Sequence, residues 1–394
     1  MENVAVVFGG RSVEHEVSII TGMQIMENMD KSKYNPIPLY ITKEGRFLSG
    51  DALKDIANFK HKNFDEAVEV FFKGFANDHN LYTINSKKAS LLGPKVEQVE
   101  VYKNIDIVFP ALHGTNGEDG VFQGLLEMIS IPYVGCGVMS AAAGMDKLTM
   151  KKVFSANGIR MTDYFGFYRS NWPAKKDSII KKAEKIGYNL FVKPANLGSS
   201  VGISRVENRE ELIEAIELAI KYDAKIIIEK AVENPREINI AVMGEEDDLI
   251  VSPCEEPLGW TGLLKYEDKY IQGSKSSGKA GMKGQSRALP ADLKDDVQKE
   301  IEELAKKAFN AIDAVGDARI DFLLDEDTVY VNEINTLPGS IAFYLWEEKG
   351  IDFTELISRL IDLAKSKYAR RKENLTTYDV DLLNMTNYGA KIQW

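Results

Sequence analysis

Asp321, Glu333 and Asn335 are three oxygen-bearing residues within one short stretch, RIDFLLDEDTVYVNEIN at 319–335. The runs RIDFLL and VYVNEIN are rich in β-branched and apolar residues and flank the acidic segment DEDT, a pattern that predicts an antiparallel hairpin. Side chains alternate along a strand, so Glu333 and Asn335 share a face, and the hairpin folds Asp321 back to within about one residue of their register. Three converging oxygens suit a hard cation, and Mg2+ held by one or two carboxylates plus nucleotide phosphates is the usual form of such a site. A merely solubilising hairpin explains the acids less well. Asp321 and Glu333 lie among apolar neighbours away from the turn, where an unpaired carboxylate is costly.

A second chemical signal is LFVKPANLGSSVGISRV at 190–206. An apolar strand delivers Lys193, and the small-residue run containing Ser199 and Ser200 can fold over a phosphate chain through backbone N–H groups and hydroxyls. The spacing of a Walker A loop is absent. Glu229 and Glu237 stand on either side of a short link between two apolar strands, where backbone can meet adenine and a carboxylate can meet ribose. Near the start, NVAVVFGG reads as a buried strand and a glycine turn that allows a ligand to approach the backbone. The amphipathic helix that follows carries Val17, Ile20, Met23, Ile25 and Met26 on its apolar positions. Glu14, where that helix begins, either complements the helix dipole or binds a ligand; the pattern leaves both readings open. His113 ends the buried strand IDIVFPALHG, and ligands in open α/β sheets bind beyond such strand ends, although a lone histidine is more often structural.

These residues need strands and helices to position them. The hydrophobic periodicity predicts helices at 208–221, 292–312 and over DFTELISRLIDLAKSKYARRKE, and strands near 161–168 and 188–193. Residues 36–100 alternate short strands with polar segments and carry no chemical motif. Residues 260–290 are rich in Gly, Ser and Lys without apolar pattern, which predicts a long mobile lid. At 394 residues the chain exceeds what one core usually serves, so two or three domains are expected. Lys and Arg number 49 against 60 Asp and Glu, and the net charge of −11 argues against general nucleic-acid binding. Two distant cysteines, Cys136 and Cys254, and four histidines argue against structural zinc or a disulfide framework. The N-terminus enters an apolar strand without a basic leader, and no apolar run reaches membrane-spanning length, which predicts a soluble, cytoplasmic protein.

Taken together, VKPANLGSSVGIS, the RID and NEIN hairpin and HGTNGEDG resemble the ATP-grasp superfamily. With FGGRSVEHEVS, GMDK and EINTLPG in the same order, residues 4 to 365 resemble the D-alanine–D-alanine ligases. The resemblance implies an α/β, α+β overall, ATP-grasp fold: a Rossmann-like open α/β domain at 1–135, then two domains gripping ATP at 136–230 and 231–394. It implies ATP-dependent formation of D-alanyl-D-alanine for cell-wall precursors through an acyl phosphate, with two Mg2+ ions, Mn2+ as a substitute, and a homodimer. By position, Lys147 and Lys193 would hold the phosphates with Ser199 and Ser200, and Glu229, Lys230, Val232 and Glu237 the adenosine. Asp321, Glu333 and Asn335 would hold magnesium. Glu14 and His113 would receive the first substrate, Arg319 and the N–H of Gly339 the tetrahedral oxyanion, and Ser199 and Tyr270 with Glu14 would tie the lid shut.

Two departures stand out. The lid has extra GSKSSGKAGMKGQ, and SIAFYLW at 340–346 replaces a serine-bearing segment, putting Tyr344 where a serine meets the second substrate's carboxylate. A phenol can still donate one hydrogen bond, beside Phe343 and Trp346 in a more aromatic subsite. D-Lactate, D-serine or a bulkier amine as acceptor, and a non-catalytic nucleotide-binding regulator, are the competing readings.

Overall fold

The computed structural model describes residues 1–88, 95–198, 201–258, 287–377 and 379. Ser199, Ser200 and Tyr270, most of the lid segment 260–290 and most of the tail from 374 to 394 lie outside the described residues.

The chain opens with β1 (Glu2–Gly9), α1 (His15–Asn28), β2 (Tyr34–Ile41), β3 (Phe47–Ser49), α2 (Ile56–His61), β4 (Val68–Glu69), β5 (Phe71–Phe72), β6 (Asn80–Lys88), β7 (Lys95–Asn104), β8 (Ile107–Pro110) and α3 (Val121–Ile129). Among the described residues, β4, β3, β2, β1 and β8 form one sheet in that order, with β1 parallel to both β2 and β8. Parallel strands covered on both faces read as continuous apolar runs, and β1 is buried from Val4 to Gly9.

The next elements are α4 (Val138–Met145), α5 (Lys147–Ala156), β9 (Tyr164–Tyr168), α6 (Trp172–Ile186), β10 (Leu190–Pro194), β11 (Ser204–Val206), α7 (Arg209–Tyr222) and β12 (Lys225–Lys230). Strands β11, β10, β12 and β9 form a second, antiparallel sheet. Leu212, Ala215, Ile216 and Ala219 recur at helical spacing on α7 and pack against Val192, Ile226 and Ile228 of that sheet.

The chain then gives β13 (Arg236–Glu245), β14 (Asp248–Val251), β15 (Glu256–Pro257), β16 (Arg287–Ala288), α8 (Asp295–Ala311), β17 (Gly316–Asp325), β18 (Thr328–Asn335), α9 (Phe343–Glu348) and α10 (Phe353–Lys372). The third sheet runs β14, β13, β17, β18. Although β12 and β13 are separated only by residues 231–235, they belong to different sheets, so the link between them is a passage from one sheet to the next. Val297, Ile301, Ala305 and Phe309 of α8 share a core with Ile320, Phe322 and Ile334, and Met150 and Phe154 of α5 join the same core. Helix α10 returns to the first sheet: Leu356, Leu360 and Ile361 pack with Val6 and Phe8, and Tyr368 donates to the carbonyl of Ser130 at 2.8 Å.

Trp346 of α9 is fully buried, and its indole Nε1 donates to Asp317 Oδ1 at 3.0 Å, while Asp317 Oδ2 has no hydrogen-bond partner. Burial pushes the Asp317 carboxyl from its ordinary 3.8 up to about 8, against the opposing pull of the Trp346 hydrogen bond and of Arg319. Between those values the folded chain holds a proton that the unfolded chain has released, so this group's contribution to stability falls as pH rises from about 4 to about 8. Asp317→Asn removes that titration. The melting temperature of the variant relative to wild type should become more favourable by several degrees between about pH 5 and about pH 8, and a pH-independent difference would sink this account.

Candidate active site

The hairpin β17–β18 pairs Arg319 with Asn335 and Asp321 with Glu333, and β13 adds Ala241 and Asn239 on the other side. Cross-strand partners share a face, so these side chains form a polar surface opposite Ile320, Phe322 and Ile334, which point into the core. A register shift follows Asp321 and re-aims the strand beside it. Arg319 grips Asp321 in a two-pronged pair, Nε to Oδ1 at 2.6 Å and Nη2 to Oδ2 at 2.7 Å, and Asn335 Nδ2 donates to Oδ2 at 3.1 Å. Burial works against the guanidinium's charge, but Asp321 outweighs it and raises the Arg319 pKa, leaving a permanent cation on this face.

A cation reaches the same face from α5, next to a charge cluster on the second sheet. Lys147 is the first residue of α5, whose N-cap Asp146 accepts from the Thr149 amide at 2.8 Å and also pairs with Lys225. Lys147 Nζ lies 3.5 Å from Glu333 Oε2 and donates to the carbonyl of Leu197 at 3.0 Å. Lys193, on β10, forms an ion pair with Glu229 of β12. Lys151, one helical turn after Lys147, brings its Nζ to 3.0 Å from Glu229 Oε2 in a charge contact without hydrogen-bond alignment. Burial raises the Glu229 carboxyl, and the two ammonium groups overcome it, holding it down to about 2. Both oxygens of Glu229 are thereby engaged, so it positions Lys193 and is not placed to meet a ribose.

The first sheet contributes Glu14 and His113. Glu14 occupies the N-cap position of α1, where a carboxylate complements the helix dipole, but its side chain makes no capping hydrogen bond. Its carboxylate lies against two glycine backbones from different parts of the chain: a β-carbon on Gly114 would fall 2.8 Å from Glu14 Oε2, and one on Gly198 only 3.4 Å from it. Gly114 also has φ +73°, a conformation that L side chains rarely adopt. His113 is buried and engaged at both nitrogens, Nδ1 with Glu118 Oε1 at 3.1 Å and Nε2 with Thr21 Oγ1 at 2.9 Å. Thr21 Oγ1 in turn accepts from the backbone N–H of Ser340 at 3.3 Å. Ser340, Ile341 and Ala342, immediately after Gly339, all have left-handed φ of +52°, +47° and +47°.

Several expectations are corrected. The space beside Gly9 is taken by the carbonyl of Ile41 and the ring of Tyr40, so it serves strand packing and not ligand approach. Lys230 turns its Nζ to the carbonyl of Tyr188 at 2.7 Å, and Val232 is buried, leaving backbone as their means of meeting a nucleotide. Glu237 is on β13 opposite Leu323. Phe343 stacks on Phe353 at 4.6 Å and Trp346 is in the core, so of the three aromatics only Tyr344 comes within electrostatic reach of Arg319. Residues of α9 advance about 100° each, which sends 344 and 346 to opposite sides. Tyr344 is itself committed: its hydroxyl donates to Glu255 Oε2 at 2.8 Å. Lys151, Thr21, Glu255 and Arg287 were not foreseen. The spacing of four between Lys147 and Lys151 on one helix was the signal available for the first.

Among the described residues no group of three or more His, Cys, Asp and Glu gathers to hold a metal, so any ion must be shared with other oxygens. The donor set fits a hard cation: the Asp321 and Glu333 carboxylates and the Asn335 amide oxygen face one side, and the fork of Arg319 leaves further lone pairs on Asp321. A lysine at the start of α5, beside the antiparallel sheet that carries Lys193, thus faces the carboxylate-bearing hairpin of another sheet, the arrangement of an ATP-grasp enzyme. The descriptions "D-ala D-ala ligase N-terminus" and "D-ala D-ala ligase C-terminus" match residues 3–136 and 153–362. The D-alanine–D-alanine ligase of Caldicellulosiruptor bescii is 42% identical over 94% of this chain and 96% of its own length, and that of Acetivibrio thermocellus 41% identical over 96% and 99%. Among solved structures, the D-alanine-D-alanine ligase from Coxiella burnetii superposes with a TM-score of 0.76 at 28% identity, covering 100% of this chain and 99% of that one. The VanG D-Ala:D-Ser ligase from Enterococcus faecalis gives 0.75 at 29% identity, covering 92% and 99%. The chain belongs to the D-alanine–D-alanine ligase family.

Proposed function

We propose that the chain joins two D-alanine molecules at the expense of ATP, releasing ADP and phosphate, to supply a cell-wall precursor. A carboxylate oxygen of the first D-alanine attacks the γ-phosphorus as its bond to ADP breaks. The amine of the second then attacks the acyl carbon, a tetrahedral oxyanion forms, and phosphate leaves with the C–O electron pair while the amine gives up its proton. Glu14 takes the first substrate's ammonium group. Lys147 and Lys193 hold the phosphates, Glu229 keeps Lys193 in place, and Glu237 with the backbone at Lys230 and Val232 holds the adenosine. Arg319 and the N–H of Gly339 meet the oxyanion, a preorganised role worth about 3–4 kcal/mol per donor. Asp321, Glu333 and Asn335 hold Mg2+, which when bound neutralises developing phosphate charge. Its setting is the cytoplasm and its working form a homodimer, as the family implies.

The observation that carries this reading is the approach of Lys147 to Glu333, 3.5 Å between a phosphate-holding cation and a metal-holding carboxylate. A γ-phosphate bound at Lys147 would lie beside a cation held at Glu333. The test is ADP release with D-alanine, D-lactate, D-serine and L-alanine as paired substrates. D-Alanine-dependent release of D-alanyl-D-alanine is expected, and release only with another pair would reject the assignment.

A further inference from the structure

We propose that Arg287, oriented by Glu255 and backed by Tyr344, receives the carboxylate of the acceptor amino acid. This rests on the ligase reading above and names the group that selects the second substrate.

The placement follows from the sheet. Glu255 forms an isolated bridge with Asn239 at the free side of β13, and Asn239 is paired with Asp321, which is paired with Glu333. Directly paired residues project from the same face, so Glu255, Asn239, Asp321 and Glu333 form one row across the active face. Glu255 is two strand spacings from Asp321, about 10 Å. It is nearly fully buried, at 3% exposure, and forms an ion pair with Arg287. Its oxygens are divided: Oε2 accepts from Tyr344, and Oε1 lies 2.8 Å from Arg287 Nη1.

This division decides what the wall can offer an incoming carboxylate. The Tyr344 proton already points at Glu255, so the phenol does not replace the serine hydroxyl. Arg287 lies over the phenol ring, its guanidinium carbon 4.3 Å from the ring centroid. The ring and the Glu255 carboxylate together fix the guanidinium plane. One nitrogen of the guanidinium is both buried and unpaired. Arg287 Nε is buried and has no hydrogen-bond partner among the described residues. Leaving such a group unpaired is costly, and the edge that includes Nε is shaped to take a carboxylate in a two-pronged pair. A guanidinium serving only to anchor β16 would have no reason to keep that nitrogen unpaired. Because Glu255 already balances one positive charge, the wall is suited to a zwitterion, whose own ammonium group offsets its carboxylate. The acceptor class is therefore a free amino acid, and amides and esters are rejected.

The test measures ADP release by wild type, Arg287→Ala and Arg287→Lys with D-alanine as donor and either D-alanine or D-alaninamide as acceptor. Wild type should prefer the acid. Arg287→Ala should raise the acceptor KM about 10- to 100-fold, leave the KM for ATP and for donor within about twofold, and lose the preference for acid over amide. Added guanidinium ion should restore part of it, and Arg287→Lys, which keeps charge without the fork, should fall between. Retention of the full acid preference in Arg287→Ala would overturn this assignment alone. Should that variant not fold, a wild type that accepts the amide as readily as the acid overturns it equally. No D-alanine-dependent ADP release from wild type overturns the ligase reading, and this assignment with it.

Discussion

Glu333→Gln should lower kcat for D-alanine-dependent ADP release by about 1,000-fold or more while leaving the protein folded, because a neutral amide holds Mg2+ far more weakly than a carboxylate. The side chain is 30% exposed, so its loss does not strand a charge in the core, and the change mainly releases Lys147 from its 3.5 Å contact. Thermal denaturation should show a shift of a degree or two at most, as expected for a partly exposed pair. The half-saturating Mg2+ concentration should rise in parallel with the loss of kcat. Wild-type turnover in this variant would remove the hairpin from the metal site.

Arg319→Lys should reduce kcat about 100- to 1,000-fold with little change in the KM for ATP, the signature of an interaction made in the transition state. Lysine keeps the charge but cannot reproduce the 2.6 and 2.7 Å contacts of the fork with Asp321. It is the informative substitution because Arg319→Ala would also leave buried Asp321 without its partner, a loss of about 3–5 kcal/mol that could unfold the site before chemistry was measured. A lysine variant with full kcat and a raised KM for ATP would make Arg319 a nucleotide-binding residue instead.

The polar face of the hairpin is legible because strand alternation is a local rule: once RIDFLL and VYVNEIN are read as a hairpin, the sharing of a face by Arg319, Asp321, Glu333 and Asn335 follows. The lysine strand was legible for a similar reason, since an apolar run seldom carries a lysine without a charged partner. Its partner was misjudged. Glu229 was read toward the nucleotide because nothing in IIIEKAVENP shows that Lys151, from a helix far back in the chain, will reach it. Glu255 was harder still. It joins the active row through one isolated bridge after β14 has ended, and a bridge has no periodicity to read. For Tyr344 the position was legible and the chemistry was not, since the direction of a hydroxyl proton is settled by tertiary neighbours.

The left-handed run at Ser340, Ile341 and Ala342 has a consequence for the order in which ligands act on one another. Each such residue costs about 1–2 kcal/mol relative to ordinary backbone, and the run is retained by burial of Ile341 and by the bond from Ser340 to Thr21. Thr21 holds His113 with the same oxygen. A ligand that draws on His113 therefore changes how firmly the loop after Gly339 is held. His113 and the backbone turn after Gly339 are thus tied to each other through one threonine hydroxyl.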